Sequence, residues 1–181
     1  MSLEIDPARS TLKIFTYAEG LLAKLAHDLQ LSASFGEGRA QERGDRVEVT
    51  LRVPLASMRV EGVVKGGRLD RQVLSGKDQE DILAKMRSEV FGGAAVDAAL
   101  VVSGELRGAR FEGTLTAPSG KSAPIRAEVR RRVEPEVERA EGSLDLSLLA
   151  LGSGRIKGPL GAFRVSDRVH VEFDAAFLAR S

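Results

Sequence analysis

Hydrophobic and polar residues alternate with a period of two along most of this chain, the pattern of strands with one buried and one wet face. Leu29, Leu31, Ala33 and Phe35 alternate with Asp28, Gln30, Ser32 and Ser34. Val47, Val49, Leu51, Val53 and Leu55 alternate with Arg46, Glu48, Thr50, Arg52 and Pro54. Val96, Ala98, Leu100, Val102, Gly104 and Leu106 form a third run, with an outer face softened by Ala99 and Val101. Phe111, Gly113, Leu115 and Ala117 follow, then Ile125, Ala127 and Val129, then Gly142, Leu144, Leu146 and Leu148, and last Val169, Val171, Phe173, Ala175 and Phe177. With Leu12, Ile14 and Thr16 at the start, the pattern predicts about eight antiparallel strands.

Short breakers join these runs: Gly36-Glu37-Gly38, Gly44-Asp45, Arg107-Gly108, Pro118-Ser119-Gly120 and Gly152-Ser153-Gly154. Such joints are of hairpin type, and Gly158-Pro159-Leu160-Gly161 reads as a longer connection before the last strand. Between Asp78 and Phe91 the period changes to that of a helix. Ile82, Leu83, Met86 and Val90 make one stripe, Asp78, Glu80 and Asp81 crowd the first turn, and Gly92 stands where a left-handed cap belongs. A helix over about 78–91 is expected, with Asp81 and Lys85 as an i,i+4 pair. The fold class expected is therefore all-β with one helix packed outside. An up-and-down barrel of eight strands leaves no edge exposed, although periodicity alone also allows a sandwich. One domain over 1–181 fits the length, and no linker-like stretch divides the chain.

Composition narrows the chemistry. The chain has no Cys, two His and one Tyr, so thiolate nucleophiles, thiolate metal sites and disulfides are excluded. Charge is balanced at 27 basic against 26 acidic residues, which supplies no overall field for nucleic acid or an anionic membrane. Hydrophobic residues make up 43% but aromatics only 4%, so the apolar material is mostly Val, Leu and Ala. Apolar runs are far shorter than the ~20 residues of a spanning helix, and Met1 to Pro7 lacks the pattern of a signal peptide. A cytoplasmic protein is expected, or a periplasmic one if a leader has been removed, and Met1-Ser2-Leu3 is readable as an appended leader.

Candidate catalytic groups are few and each has a plainer reading. His27-Asp28 is the one His–acid neighbour pair, but adjacent strand residues point to opposite faces. His170 lies between Val169 and Val171, on the polar face, and reads as solvated. Leu151-Gly152-Ser153-Gly154 lacks the first glycine of a nucleophile elbow, and Gly120-Lys121-Ser122 has Leu115 where a phosphate loop needs glycine. No metal-ligand spacing occurs. Arg126, Arg130, Arg131 and Arg132 form the densest basic stretch. Arg126, Arg130 and Arg132 share one strand face, opposite Ile125, Ala127 and Val129, which reads as a charged outer face beside Glu128, Glu134 and Glu136 rather than a phosphate-binding patch, and no aromatics interleave for base stacking. No catalytic or metal residue is assigned, and an enzyme using Asp6, His27 or Asp28 is a minor alternative.

Three stretches carry a family resemblance. They are Ile5-Asp6-Pro7-Ala8-Arg9-Ser10 leading into Leu12-Lys13-Ile14-Phe15, the segment Gly76 to Gly92, and Gly142-Ser143-Leu144-Asp145-Leu146 with Gly158 through Val169. Together they resemble the YceI-like family over nearly the whole chain. The chain departs from the pattern at Arg9, where the family usually has His, and at Ala26-His27-Asp28, in place of a commoner His-x-Gly type segment. The resemblance implies a lipocalin-like antiparallel barrel enclosing an apolar tunnel for a polyisoprenoid or similar lipid, with no shared catalytic residues.

The inward set agrees with that implication. Ala33, Ala98, Gly104, Gly113, Ala127 and Ala175 share the buried face with Phe35, Phe111 and Phe173, so small residues leave room among large ones. At about 0.8 kcal/mol per buried methylene, an aliphatic tunnel can hold a long chain without any diagnostic polar residue. The expected lipid-binding residues are Phe35, Leu51, Leu100, Val102, Phe111, Leu115, Leu146, Val171 and Phe173. The expected partner is an apolar lipid, an isoprenoid, isoprenoid quinone or fatty chain, carried or stored in the barrel with no other cofactor. The alternative is a ligand-free interaction or dimerisation module, docking through Ala99, Val101 and the Leu148-Leu149-Ala150-Leu151 run.

Overall fold

The computed structural model describes residues 2–19, 27–154, 156–157 and 164–179. In chain order the first strands are β1 (Ser2–Ile5), β2 (Thr11–Thr16), β3 (Ala18–Glu19), β4 (Asp28–Ala33), β5 (Gly38–Arg43), β6 (Arg46–Pro54), β7 (Arg59–Lys65) and β8 (Arg68–Asp70). Helix α1 (Gly76–Lys85) precedes β9 (Ala99–Arg107), β10 (Arg110–Thr116), β11 (Ser122–Val133), β12 (Glu138–Ser147), β13 (Arg164–Val165) and β14 (Arg168–Ala179).

β1 pairs with both β5 and β14, so the ladder β1-β5-β6-β9-β10-β11-β12-β14 returns on itself as a closed antiparallel barrel of eight strands. The ring strands succeed one another in chain order, the up-and-down arrangement expected, with β2–β4 inserted between β1 and β5 and β7, β8 and α1 between β6 and β9. β14 pairs with β12 along one edge and divides its other edge between β1, through Phe177–Ala179, and β2, through His170–Asp174. The turn Pro7–Arg9 separates β1 from β2 and is capped by Asp6, which accepts from the Ala8 amide at 3.0 Å. From β2 the sheet continues as a branch through β4, β7 and β8, while β3 and β13 form a separate two-stranded ladder. The two-residue turns at Gly44-Asp45 and Gly108-Ala109 and the β11–β12 hairpin gather at one end of the barrel.

Several boundaries differ from the sequence reading. β9 begins at Ala99, which leaves Val96 outside the strand and 55% exposed. β1, β5 and the β7–β8 hairpin were not expected, and the expected strands β2 and β4 lie in the branch while β1 and β5 complete the ring. β7 carries Gly62 at φ +151°, beside a register shift at Gln30/Leu31, and that irregularity breaks the period of two. The helix starts at Gly76 because Ser75 and Asp78 form a capping box: the Asp78 amide donates to Ser75 Oγ at 3.2 Å, and the Ser75 amide donates to Asp78 Oδ2 at 2.8 Å. The Ser75 hydroxyl, which donates to Asp78 Oδ2 at 2.6 Å, and then the Ser75 amide hold the exposed Asp78 carboxyl below its ordinary range. After Lys85 the backbone widens into a π turn over Met86–Val90, and Gly92 adopts φ +65° as the left-handed cap. Lys85 does not pair with Asp81. It reaches Glu89 at 3.7 Å and donates to the Lys157 carbonyl at 2.8 Å. No residue of α1 itself is fully buried; Leu83 and Met86 of the expected stripe lie half-buried against the core, and the following Val90 and Phe91 are buried in it.

Outside the barrel, registered strand pairs bring opposite charges together. Arg110 faces Glu128, Arg126 faces Glu112 and Arg130 faces Glu141, with contacts of 3.8, 3.5 and 3.2 Å. Exposed pairs of this kind contribute roughly 0.2–1 kcal/mol each, so the balanced composition is largely the outer surface of the sheet. Among the described residues no helix is long and apolar enough to cross a membrane. The Gly158-Pro159-Leu160-Gly161 connection lies outside the described residues.

Candidate functional site: an apolar cavity inside the barrel

The inward residues of the barrel strands enclose a cavity of about 160 Å³. All nine residues expected to contact a lipid line it. Phe35 follows β4, Leu51 comes from β6, Leu100 and Val102 from β9, and Phe111 and Leu115 from β10. Leu146 comes from β12, and Val171 and Phe173 from β14. The strand period alone brings them together, because every second side chain along each strand points inward.

The glycines among them do not leave open space. Gly104 and Gly113 face one another across β9 and β10, and the Phe111 ring lies over both. A Cβ at Gly104 would come within 2.8 Å of Phe111 Cζ, and one at Gly113 within 2.9 Å. Phe173 covers Gly142 in the same way, at 2.8 Å. The expectation that inward glycines leave volume is thus corrected: two phenylalanine rings occupy the space. The remaining hollow is framed by aliphatic side chains, including Leu3, Val49, Val53, Ile125, Leu144 and Ala175.

The two ends of the cavity differ. At the end toward Leu55 and Met58, the turn after β6 and the Val90-Phe91 segment pack against the core, with Leu151 beside them. At the hairpin end three charged side chains line the cavity, namely Glu42, Arg131 and Glu138. The side chains of Arg131 and Glu138 are 34% and 12% exposed, and Arg131 Nε donates to Glu138 Oε1. Arg130 and Arg132 point outward, to Glu141 at 3.2 and 3.0 Å, on the face the alternation gives them with Arg126. Arg131 has the opposite parity, that of Val129, and stands at the rim of the cavity about one-third exposed.

The minor chemical candidates take structural roles. Asp28 accepts from the Ala18 amide at 3.0 Å and ties β4 to β3, while His27 is exposed before the strand. Asp6 caps the first turn and contacts Arg9 at 3.4 Å. His170 is on the outer face as expected but is paired there, with Nδ1 2.8 Å from Asp145 Oδ1 and its ring 6.1 Å from that of Phe15. The His170 contact and the Arg168 guanidinium at 2.6 Å hold the Asp145 carboxyl below the usual carboxylate range. Ser153 and the glycines beside it belong to a turn, with the Ser153 amide bonded to the Leu148 carbonyl. In the Leu148–Leu151 run, Leu148 and Leu151 pack on the core, while Leu149, 47% exposed, and Ala150 stay at the surface.

No family model and no curated protein matches the chain. Two solved structures share its architecture. BcnA of Burkholderia cenocepacia matches with a TM-score of 0.63 over 95% of this chain and 98% of its own, at 13% identity. A polyisoprenoid binding domain from Saccharophagus degradans, implicated in plant cell wall breakdown, matches with a TM-score of 0.60 over 98% of both chains, also at 13% identity. The fold is the closed eight-stranded antiparallel barrel with one helix that the sequence leads one to expect.

Proposed function

We propose that this protein binds the apolar chain of a lipid, an isoprenoid or a fatty chain, inside the barrel and serves to carry or store it. The observation that carries this reading is an internal cavity of about 160 Å³ whose wall is aliphatic and aromatic except at one end. Its size class is that of an engineered apolar cavity of about 150 Å³ that stays dry and takes a benzene-sized guest. A longer chain is admitted as the lining side chains move apart. An empty volume of this size costs a fold about 4 kcal/mol, at roughly 24 cal/mol per Å³, and an apolar occupant removes that penalty. The similarity in fold to a domain described as polyisoprenoid binding supports the same class of ligand.

The test is extraction of the purified protein with organic solvent followed by mass spectrometry, alongside titration of the emptied protein with a C15 hydrocarbon. Recovery of a long-chain lipid, or saturable uptake of the hydrocarbon with a rise in melting temperature, is the expected result. A lipid-free extract combined with no uptake would overturn the reading.

A further inference from the structure

Holding an apolar chain needs no charge, yet a charged pair is built into the wall at the hairpin end of the cavity. Arg131 follows Val129 on the inward register of β11, and Glu138 precedes Ala140 on the inward register of β12. Arg131 turns both Nε and a terminal nitrogen to the same Glu138 oxygen. Glu138 is largely withdrawn from water, with its side chain 12% exposed. The outer face does not require this pair, because Arg130 and Arg132 already meet Glu141 there. Inward charges are costly unless they are paired and hydrogen-bonded; this pair is matched in charge while leaving hydrogen-bonding capacity, and Glu42 adds a second carboxylate to the same end of the cavity. A guanidinium has five N–H donors, of which Glu138 occupies two, so three N–H groups remain for a further acceptor.

We infer that the Arg131–Glu138 pair is a head-group site that selects a neutral oxygen, an alcohol or a carbonyl, over a diphosphate or carboxylate. The inference rests on the lipid reading above and adds to it the class of head group. A neutral oxygen takes a charge-assisted hydrogen bond from Arg131 and brings no charge of its own, and an alcohol can also donate to the Glu138 carboxylate. An anionic head group finds the Arg131 charge already compensated, and it must lie against the Glu138 carboxylate at the mouth of an apolar cavity, where like charges are weakly screened.

Three probes with the same C15 chain separate the cases: farnesene, farnesol and farnesyl diphosphate, titrated below their aggregation limits. Wild-type protein should bind farnesol about tenfold or more tighter than farnesene, the scale of a hydrogen bond to a charged group, and farnesyl diphosphate weakest of the three. Arg131→Met keeps an apolar stem, so farnesene affinity should hold within about twofold while the farnesol advantage disappears. Glu138→Gln keeps the shape and removes a negative charge, so affinity for the diphosphate should rise about tenfold, a gain that a misfolded protein cannot produce. Equal binding of farnesol and farnesene by the wild type, or tightest binding of the diphosphate, overturns the inference while leaving the lipid reading in place. If none of the three binds, the lipid reading itself fails and this inference with it.

Discussion

Phe111→Ala tests the account of how the interior is filled. Phe111 is 8% exposed, and its ring covers the facing pair Gly104 and Gly113. Truncating such a ring costs about 3–5 kcal/mol, part lost transfer energy and part the hollow left behind. The glycines on the wall have no side chains to collapse into that hollow, so the loss should fall in the upper part of the range. For a chain of 181 residues, each kcal/mol moves the melting temperature by about 2–4 °C, so a loss of about 4–5 kcal/mol gives a fall of about 8–20 °C. The removed ring enlarges the cavity that Phe111 lines, so an apolar guest should stabilise the variant more than the wild type. A guest at about a hundred times its Kd returns about 2.7 kcal/mol. Phe91→Ala is the control: Phe91 is 6% exposed but does not line the cavity, so its truncation should lower stability without increasing the response to guest. The assay is thermal unfolding followed by circular dichroism, with and without farnesene. A loss under about 1 kcal/mol for Phe111→Ala, or equal guest responses in all three proteins, would refute the packing of this ring over the glycine wall.

Gly104→Ala places a Cβ 2.4 Å from the Glu112 carbonyl oxygen and 2.6 Å from the Gly113 Cα, both backbone atoms that cannot rotate away. A loss of about 1–3 kcal/mol or more follows, seen as a lower urea midpoint at unchanged slope, and a neutral result would show that β9 and β10 are further apart. Asp145→Asn should alter the acid side of the stability profile. The Asp145 carboxyl is depressed in the fold, first by His170 and then by Arg168, so the stability it contributes is complete above the ordinary aspartate value of 3.8 and is lost as pH falls below it. The difference in urea midpoint between wild type and variant should therefore shrink on acidification below about pH 4, and a difference that grows there contradicts the assignment. Ser75→Ala removes one half of the capping box and should cost about 1 kcal/mol locally. Because α1 fully buries none of its own residues, the change should appear as faster amide exchange over residues 78–85 rather than as an equal loss of global stability.

Much of the barrel is legible in the sequence because its strands keep one period and its turns are short. The two-residue turn at Gly108-Ala109 pairs Arg107 with Arg110, and that register alone sets Gly104 opposite Gly113. The same parity count brings the nine expected lining residues onto one cavity wall. What stayed hidden has physical reasons. β1 offers only Leu3 and Ile5, too short a run to read as alternation. In β7, Gly62 and the shifted register interrupt the period. Leu148 and Leu151 look like a surface run because a turn, unlike a strand, has no fixed parity, and the packing that buries them is tertiary. Strand parity sets Arg131 apart from Arg126, Arg130 and Arg132, but its pairing with Glu138 was hidden because the two meet only across the β11–β12 hairpin.

The cavity and the inward charge pair are two separate costs placed along one axis. Small residues at Ala40, Ala140 and Ala175 keep the hollow open, where a single larger side chain would fill it. Stability of a domain is only about 5–15 kcal/mol, so an empty volume worth about 4 kcal/mol is a large fraction to forgo without return. The Arg131–Glu138 pair adds desolvation of two charges at the end of that same hollow. A purely apolar occupant relieves the first cost and leaves the second unchanged, and a diphosphate lipid relieves the first while worsening the second. An amphiphile with an apolar chain and a neutral oxygen at its end offsets both, and for that reason the two features are best understood as parts of one site.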